Sequence, residues 1–312
     1  MKIGLLDSKT HYVLALSGGC DSVFLFHMLL RYNHNNFSCV YVHHHVNHHD
    51  DVEEEFCRTL CNIYNIHLDI LDVTLDVLNK GFENTAREAR YTAISKIIGE
   101  SVLLLGHHID DTIETVLQNI FRGTGINGLC GIKEKTFNFG MHIYRPLVNY
   151  VNKNQIRKYM HTHDLAYVED ESNTQLFTKR NVVRNIVIPL LTSHYVDIDK
   201  AILHLVQKAN ESVVLHENLA QIDACNSQVT YYGNHIRFYH YYIRSCGIVR
   251  CKNLFYYIFN GRNQPKLKSV TVDNIIKTVD KHIDDVGKKI VIDNVTIEII
   301  ENSYFNVYFA GE

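Results

Sequence analysis

The chain has 312 residues, of which 46% are apolar, and its formal net charge at pH 7 is −3. The apolar content is too high for a disordered chain, and the balanced charge excludes a protein that binds nucleic acid through an overall basic field. The sequence has no run of about 18 apolar residues and no secretory leader pattern, so we expect a cytoplasmic protein with no membrane partner. Its cysteines form no C-x-x-C pair and are expected to be reduced thiols.

Apolar runs and helical patterns alternate along the first part of the chain. Short, nearly continuous apolar runs each precede a longer helical pattern, which is typical of βαβ units with right-handed crossovers. The predicted fold class is therefore α/β, with a parallel sheet that carries helices on both faces. The predicted strands are 12–17, 37–42, 67–73 and 101–106, and the predicted helices are 21–32, 50–64, 83–98 and 110–121.

The pattern changes after the fourth helix. Residues 123–140, rich in Gly, Asn and Lys, are predicted to form a loop before a strand near 142–147 and a helix near 153–164. A helical connector follows, and an aromatic-rich and then alternating segment predicts a smaller α+β domain at the C-terminus. The predicted division is 1–195 for the first domain, 196–222 for the connector and 223–312 for the C-terminal domain.

The stretch SGGCDS, residues 17–22, joins the first predicted strand to the first predicted helix. Glycines let a backbone approach a ligand, and N–H groups at a helix start attract anions, so this turn predicts a phosphate cradle. The G-x-x-x-x-G-K-S/T string of ordinary phosphate loops and the G-x-G-x-x-G string are both absent. An acid, Asp21, stands at the helix start, and an acid beside phosphates needs a cation between them, which indicates Mg²⁺. The alternative is a sharp turn with a capping acid.

Three unusual stretches, 17–22, 43–49 and 106–114, follow predicted strand ends. Ligands of open α/β sheets bind beyond the carboxyl ends of the strands, so we expect these stretches to share one site. The stretch 43–49, HHHVNHH, offers ligands for zinc or nickel but has no cysteine or fixed helical spacing that completes a site. The favoured interpretation is a set of polar loop residues that line a cleft.

Acids also mark the fourth predicted helix. Asp111, Glu114 and Gln118 fall at i, i+3 and i+7 and therefore on one helical face. Two carboxylates at a helix start can share Mg²⁺ or receive an ammonium group. The alternative is an acidic first turn that matches the helix dipole.

SGGCDS resembles the SGGxDS motif of the PP-loop ATP pyrophosphatase superfamily, which holds the β,γ-diphosphate of ATP and splits ATP between the α and β phosphates. Other segments resemble tRNA(Ile)-lysidine synthetases, in the order of that family. They are AREARY at 86–91, LGHHIDDTIET at 105–115, RPL at 145–147, DESN at 170–173 and RNVVRN at 180–185. The segment HVNH at 45–48 fits the family's HVxH pattern, but His49-Asp50-Asp51 replaces the usual Gly-Leu-Arg.

The resemblance implies an enzyme that adenylates the wobble cytidine of the isoleucine tRNA with a CAU anticodon and then joins free L-lysine to its C2, releasing AMP and pyrophosphate. The implied catalytic residues are Asp21, Asp111, Glu114 and Arg180, and Asp21 is the implied Mg²⁺ ligand. The implied ATP-binding residues are Ser17, Gly18, Gly19, Cys20, Asp21, Ser22, His45 and His107. The predicted tRNA-binding parts are Arg87, Arg90, Arg122, Arg184 and the C-terminal domain, and Arg87 and Arg90 could instead face ATP.

Other interpretations stay open. Arg87 and Arg90 could pair with neighbouring glutamates, and Arg122 could lie in a solvated loop. A tRNA cytidine thiolase of the same superfamily would deliver sulfur, but such relatives usually carry C-x-x-C pairs, and Cys20 is expected to be passive. A non-catalytic nucleotide-binding protein would keep the loop without needing Asp111, Glu114 and the arginines together. The sequence is compatible with a homodimer but does not set the oligomeric state.

Overall fold

The structure is a computed structural model of the chain. It describes residues 3–32, 36–45, 48–73, 82–169, 178–232, 235–241, 245, 247–260, 269–301 and 304–309. The chain divides into two compact units, Met1–Gln207 and Lys208–Glu312, each with its own sheet. Across the described residues, no helix has the length and apolar character that crossing a membrane requires.

Six strands form the sheet of the first unit: β1 (Tyr12–Ala15), β2 (Phe37–His43), β3 (Leu68–Asp72), β4 (Val102–Leu104), β5 (Lys135–Asn138) and β6 (Met141–Tyr144). Their order is β3-β2-β1-β4-β6-β5, and every neighbouring pair is parallel except β5 with β6. This confirms the predicted α/β class. Because β1 is flanked by β2 and β4, the segments that follow these three strands meet at one edge of the sheet.

The helices of this unit follow the predicted alternation. They are α1 (Cys20–Arg31), α2 (His48–Ile63), α3 (Phe82–Ser95), α4 (Ile109–Phe121), α5 (Ile126–Leu129), α6 (Lys153–Thr162), α7 (Lys179–Val182) and α8 (Ile188–His194). A π-helical turn, Val183–Val187, joins α7 to α8. The helix α9 (Ile198–Asn226) includes residues 198–222 of the predicted connector, and the boundary between the two units falls within it.

Both faces of the first sheet are covered because its central strands are apolar at successive positions. Val13 and Leu103 lie in a cluster with residues of α3, whereas Leu14 and Leu104 lie in a cluster with residues of α1, α2 and α6. Adjacent residues of a strand point to opposite faces, so each face receives its own core. Most of α1 is buried, as its nearly all-apolar sequence predicts.

The segment 123–140, predicted as a loop, contains α5 and the edge strand β5. β5 pairs with β6 through the two-residue turn Phe139-Gly140, where both φ angles are positive, 52° and 74°. Such a turn matches the twist of an antiparallel hairpin. The loop prediction is wrong because most of β5 is exposed, so its residues carry the polar composition that usually marks a loop.

The end of the first unit packs on α4. Val183 of the π-helical turn and Ile202 of α9 form a small core with Val116 and Leu117 of α4. This packing orients the segment from α7 to the first turns of α9. It therefore determines which side chains of that segment can reach the acids of α4.

The second unit is an antiparallel sheet packed against helices. Its strands are β7 (Thr230–Tyr231), β8 (His235–Tyr239), β9 (Lys289–Ile292), β10 (Val295–Ile300) and β11 (Tyr304–Phe309), in the order β7-β8-β11-β10-β9. Two helices, α10 (Ile248–Asn260) and α11 (Ser269–His282), contribute to its core. Phe238 stacks on Phe255 and Phe305 in that core. The α+β architecture predicted for this part of the chain is confirmed.

Candidate active site

The SGGCDS turn connects β1 to the N-terminus of α1. Gly18 has a φ of +76°, a conformation that residues with side chains rarely adopt, and Gly19 is the N-cap of α1. The Ser22 hydroxyl donates to the carbonyl oxygen of Gly19 at 3.0 Å and accepts from the backbone N–H of Ser17 at 3.2 Å. The turn is held by its own side chains, and the first N–H groups of α1 lack partners within the helix. These are the features of an anion-binding helix start.

The end of β4 lies directly against this turn. A methyl group added at Gly106 would lie 3.0 Å from the backbone oxygen of Asp21, which is closer than such contacts usually are, so the chain after β4 passes tightly against the turn. On the other side, the N–H of Val168 donates to the carbonyl oxygen of Gly18 at 3.0 Å. The stretches 17–22 and 106–114, which are far apart in the sequence, are therefore in contact.

A cavity of about 300 Å³ opens at this edge of the sheet. Its walls come from the ends of β1, β2 and β4 and from α2, α3, α4 and α7. The lining residues that carry polar groups are Ser17, Asp21, Ser22, Tyr41, His44, Asp50, Glu53, Arg90, His107, Asp111 and Arg180. A second cavity, of about 450 Å³, includes Tyr12 and Val102 at the starts of β1 and β4 and none of the predicted site residues. Ligands of such sheets bind at the carboxyl edge, so the smaller cavity is the candidate site.

His108 lies between two acids of the site. Its Nε2 atom is 3.6 Å from a carboxylate oxygen of Asp21 and 3.6 Å from one of Asp111. Burial works to lower the pKa of His108, but the neighbouring carboxylates of Asp110, Asp21 and Asp111 outweigh it and raise the pKa to about 9. His108 is therefore protonated at pH 7. The sequence singled out the acids around it but assigned no role to this histidine.

Lys153 is a second cation at the loop aspartate, and sequence reasoning missed it. It is the first residue of α6, and its Nζ atom donates to Oδ1 of Asp21 at 2.6 Å. Its backbone N–H donates to Asp110 at 2.8 Å, which fixes the start of α6 against α4. Burial works to raise the pKa of Asp21, but His108 and Lys153 outweigh it and lower the pKa to about 2. Asp21 is thus ionised between two protein cations.

The two acids of α4 are bound by two arginines. Arg180 donates from Nε to Glu114 at 2.9 Å and from Nη2 to Asp111 at 2.6 Å. Arg184 donates to both oxygens of Glu114, at 2.5 and 3.0 Å. The Glu114 side chain is only 2% exposed, and a carboxylate that far from water requires such partners. The spacing of the arginines, i and i+4 across the π-helical turn, places both on the side that faces α4.

His107 and His44 bring unpaired nitrogens to the cavity. His107 Nδ1 and both ring nitrogens of His44 have no hydrogen-bond partner among the described residues. Burial, opposed by Asp111 and reinforced by Arg145 and Arg180, lowers the pKa of His107 to about 4, so its ring is neutral at pH 7. Neutral imidazoles that face a cavity without partners suit the polar edges of a bound ligand.

The other predicted residues lie in different places. His45 turns away to Asp72, with Nε2 2.8 Å from Oδ1, and the cavity wall contains its neighbour His44 instead. Burial raises the pKa of the Cys20 thiol, which agrees with a passive role.

The three arginines predicted to bind tRNA at positions 87, 90 and 122 lie in different places. Arg90 lines the cavity, the Arg87 guanidinium lies 5.2 Å from the Tyr91 ring centroid, and Arg122 is exposed at the end of α4. The predicted segment 170–173 and residues 46 and 47 lie outside the described residues.

Asp21 and Asp111 are the side chains at the centre of the site that could hold Mg²⁺. Asp21 offers a carboxylate at the turn, one third of its side chain is exposed, and Asp111 faces the same histidine. Magnesium prefers carboxylate and phosphate oxygens and keeps several waters, which this donor set allows. The turn and the acids together define a nucleotide-binding α/β domain with a helix-start anion site.

Comparison with known proteins identifies the class. A family model described as a PP-loop domain matches residues 3–191, more than half of the chain. The chain belongs to the PP-loop family. The structure of the U34-tRNA thiolase NcsA from Methanococcus maripaludis has the same fold, with a TM-score of 0.53 at 16% identity over 65% of this chain and 71% of that one.

Similar sequences narrow the relationship within that family. The tRNA(Ile)-lysidine synthase of Actinobacillus pleuropneumoniae serotype 3 is 36% identical over 216 residues, which are 69% of this chain and 51% of that protein. The tRNA(Ile)-lysidine synthase of Edwardsiella ictaluri is 32% identical over 203 residues, 63% of this chain and 46% of that protein. The chain therefore spans about half the length of these curated relatives.

Proposed function

We propose that this chain forms lysidine at the wobble cytidine of the isoleucine tRNA with a CAU anticodon, using ATP and free L-lysine. The observation that carries the proposal is the meeting of Asp21 and Asp111 on one histidine, beside a cavity that also contains Arg180. The similarity to tRNA(Ile)-lysidine synthases supports the choice of substrate.

The reaction has two displacements. In the first, O2 of the cytidine attacks the α-phosphorus of ATP, the bond to the bridging oxygen breaks, and pyrophosphate leaves. In the second, the ε-amino nitrogen of lysine attacks C2 of the base, the bond between C2 and the adenylated oxygen breaks, and AMP leaves. The ammonium group of lysine loses its protons along the way, so a nearby base is required.

The SGGCDS turn is proposed to hold the diphosphate that leaves. Ser17, Gly18, Gly19, Cys20 and Ser22 would contribute backbone and hydroxyl donors at the helix start. The nucleoside would then occupy the cavity, where the neutral ring of His107 has an unpaired Nδ1 atom. The resemblance implies a direct ATP contact for His45. In the structure its side chain is paired with Asp72, so this contact stays a prediction.

Mg²⁺ is proposed to bind Asp21, where it would neutralise charge on the phosphates. Lys153 and His108 hold this carboxylate ionised and in place. We infer that the ammonium group of Lys153 contacts the phosphates when ATP is bound, because it lies 2.6 Å from the carboxylate that faces them. A cation fixed at that position stabilises the charge that develops as pyrophosphate leaves.

Asp111 and Glu114 are proposed to receive the ammonium group of lysine. In the structure, guanidinium groups of Arg180 and Arg184 bind these carboxylates. The two negative charges can therefore receive a cation such as the ammonium group of lysine. Lysine would take the place of one guanidinium. Arg180, which also lines the cavity, could then turn its guanidinium to the adenylate, where a bidentate contact suits a phosphate.

The tRNA is proposed to contact exposed basic residues and the second domain. Arg87 and Arg122 are exposed, and Arg90 lines the cavity. Arg184 could reach tRNA only by leaving Glu114. We retain the predicted division into a catalytic domain at 1–195, a connector at 196–222 and a tRNA-binding domain at 223–312. An enzyme that modifies tRNA would act in the cytoplasm.

The test is nucleoside mass spectrometry of the tRNA after incubation with the protein, ATP, Mg²⁺ and isotopically labelled lysine. The expected result is one labelled lysidine per tRNA, formed together with equal amounts of AMP and pyrophosphate. Asp21→Asn and a transcript with a CAU-to-UAU change at the anticodon are the controls, and neither should give label.

Two outcomes would replace the proposal. Sulfur incorporation in the presence of a sulfur donor, with no label from lysine, would indicate a thiolase. ATP binding without AMP release, in the presence of tRNA and lysine, would indicate a nucleotide-binding protein without this activity.

A further inference from the structure

We propose that His43, His45 and Asp72 form a site for a zinc ion beside the nucleotide cavity. One nitrogen of each histidine and one oxygen of Asp72 lie within 4.8 Å of one another. The part of the chain that the structure describes contains no other group of three such side chains. Two imidazoles and a carboxylate are a common ligand set for zinc, with water in the fourth position.

The sheet brings these residues together. His43 ends β2, Asp72 ends β3, and the two are register partners in the parallel pair. His45 follows two residues later with a φ of 55°, which folds the chain back so that its ring lies 4.1 Å from the His43 ring, centroid to centroid. A left-handed conformation at a residue other than glycine is strained and clusters at functional positions.

One hydrogen bond of His43, from Nε2 to a carboxylate, matches that of a metal-bound histidine. The backbone N–H of His45 donates to its Nδ1 atom at 3.2 Å, so Nδ1 carries no proton and Nε2 does. Nε2 then donates to Asp51 at 3.2 Å. Histidines that bind metals usually donate their other ring N–H to a carboxylate, which orients the ring. Zinc at Nδ1 would replace the hydrogen bond from the backbone of His45.

His45 and Asp72, two of the proposed ligands, are joined to each other by a hydrogen bond, which zinc would replace. His45 Nε2 and Asp72 Oδ1 are 2.8 Å apart, joined by a hydrogen bond. Tetrahedral zinc with bonds of about 2.0 Å needs ligand atoms about 3.3 Å apart. The side chains of His45 and Asp72 are 55% and 72% exposed, so they can make this adjustment and the ion can enter from solvent.

The nearby carboxylates and the imidazole ligands favour zinc over magnesium at this site. Three carboxylates, Asp51, Glu54 and Asp72, lie within 3.9 Å of the ring nitrogens, so the surroundings favour a dication. Imidazole nitrogens suit zinc, whereas Mg²⁺ prefers oxygen ligands in an octahedron. The nitrogen ligands therefore separate this site from the proposed magnesium site at Asp21. His44, which lies between the two histidine ligands in the sequence, lines the nucleotide cavity, whereas His43 and His45 are not among its lining residues.

The test is titration of the full chain, without an affinity tag, with Zn²⁺ and no nucleotide, followed by calorimetry. The variants are His45→Ala and Asp72→Asn, which change exposed side chains and should leave the fold intact. His67→Ala is the matched control, because His67 forms a similar exposed pair with Asp69, at 3.1 Å, with no third ligand in the described residues. Cobalt(II) replaces zinc in a parallel titration, since its visible spectrum reports the coordination geometry.

We expect one zinc ion per chain, with affinity reduced about 10–100-fold in His45→Ala and Asp72→Asn and unchanged in His67→Ala. Intense cobalt bands typical of four ligands, present in the wild type and lost in Asp72→Asn, would support the site. Equal zinc affinity in the wild type and the His45→Ala variant would overturn the proposal. So would an equal loss in His67→Ala, competition by Mg²⁺ at similar concentration, or the weak spectrum of six-coordinate cobalt.

Discussion

Lys153 offers the sharpest test of the proposed site, because methionine in its place keeps the side-chain length and removes the charge. Its Nζ atom lies 2.6 Å from Asp21, and the two side chains are 27% and 33% exposed. Since both reach water, their ion pair contributes only about 1 kcal/mol or less to the free energy of unfolding. A fixed donor that stabilises charge on a leaving group contributes about 2.7–4 kcal/mol to catalysis, or 10²–10³-fold in rate. Lys153→Met should therefore lower activity far more than stability.

The assay measures tRNA-dependent pyrophosphate release against ATP concentration, with thermal unfolding of the same samples. The expected result for Lys153→Met is a kcat/KM for ATP that is about 10²–10³-fold lower, with a midpoint of unfolding close to that of the wild type. Lys153→Arg keeps the charge and should recover part of the loss. Lys158→Met changes an exposed lysine on the same helix and should have no effect. Equal rates in Lys153→Met and Lys158→Met would refute the role, as would a loss of activity fully explained by unfolding.

Three further changes test other parts of the site. Glu114→Gln removes the charge shared by two guanidinium groups, so it should cost on the order of 3 kcal/mol in chemical denaturation and abolish lysine transfer while ATP binding persists. The pKa of His108 is raised to about 9, so its stabilising charge is fully present below about pH 6.5 and is lost as the pH rises through 9. The free energy of unfolding should therefore fall over that range, by up to about 3 kcal/mol, in the wild type and much less in His108→Gln. Gly106→Ala pushes a methyl group against Asp21 and should weaken ATP binding about 10–100-fold in calorimetry.

Each of these results has a contrary outcome. Lysine transfer at the wild-type rate in Glu114→Gln would remove that carboxylate from the reaction. The same pH profile in the wild type and His108→Gln would show that the histidine is not a buried cation. Gly125→Ala, where an added methyl group meets nothing within 4 Å, is the control for Gly106→Ala, and equal affinities in the two would reject the close approach of β4 to the turn.

The hairpin formed by β5 and β6 shows why a polar composition can be mistaken for a loop. The dipeptide Phe139-Gly140 is a two-residue turn, and Asn138 before it is a typical turn residue, so the sequence did contain a hairpin signal. That signal was hidden because β5 is an exposed edge strand with polar side chains. Edge strands have only one neighbour in the sheet, and their composition therefore resembles that of a loop.

Lys153 shows a different limit. The capping box of α6, Asn152 with Gln155, is visible in the sequence and places Lys153 in the first turn of a helix. Nothing in that pattern connects it with Asp21, which lies 132 positions earlier. The same holds for Arg180 and Arg184, whose partner Glu114 is 66 and 70 positions away. Their spacing suggests a common face, but only packing shows what that face meets.

The sequence by itself determined the alternation of strands and helices, the tight glycine turn at 17–22 and the shared face of Asp111 and Glu114. These features depend on hydrophobic periodicity, glycine conformation and helical spacing, which act over a few residues. Only the tertiary structure decided which charges neutralise which: Lys153 and His108 at Asp21, and two arginines at Glu114. Ionic partners meet wherever strand order and helix packing place them, and that placement arises from contacts between residues far apart in the chain.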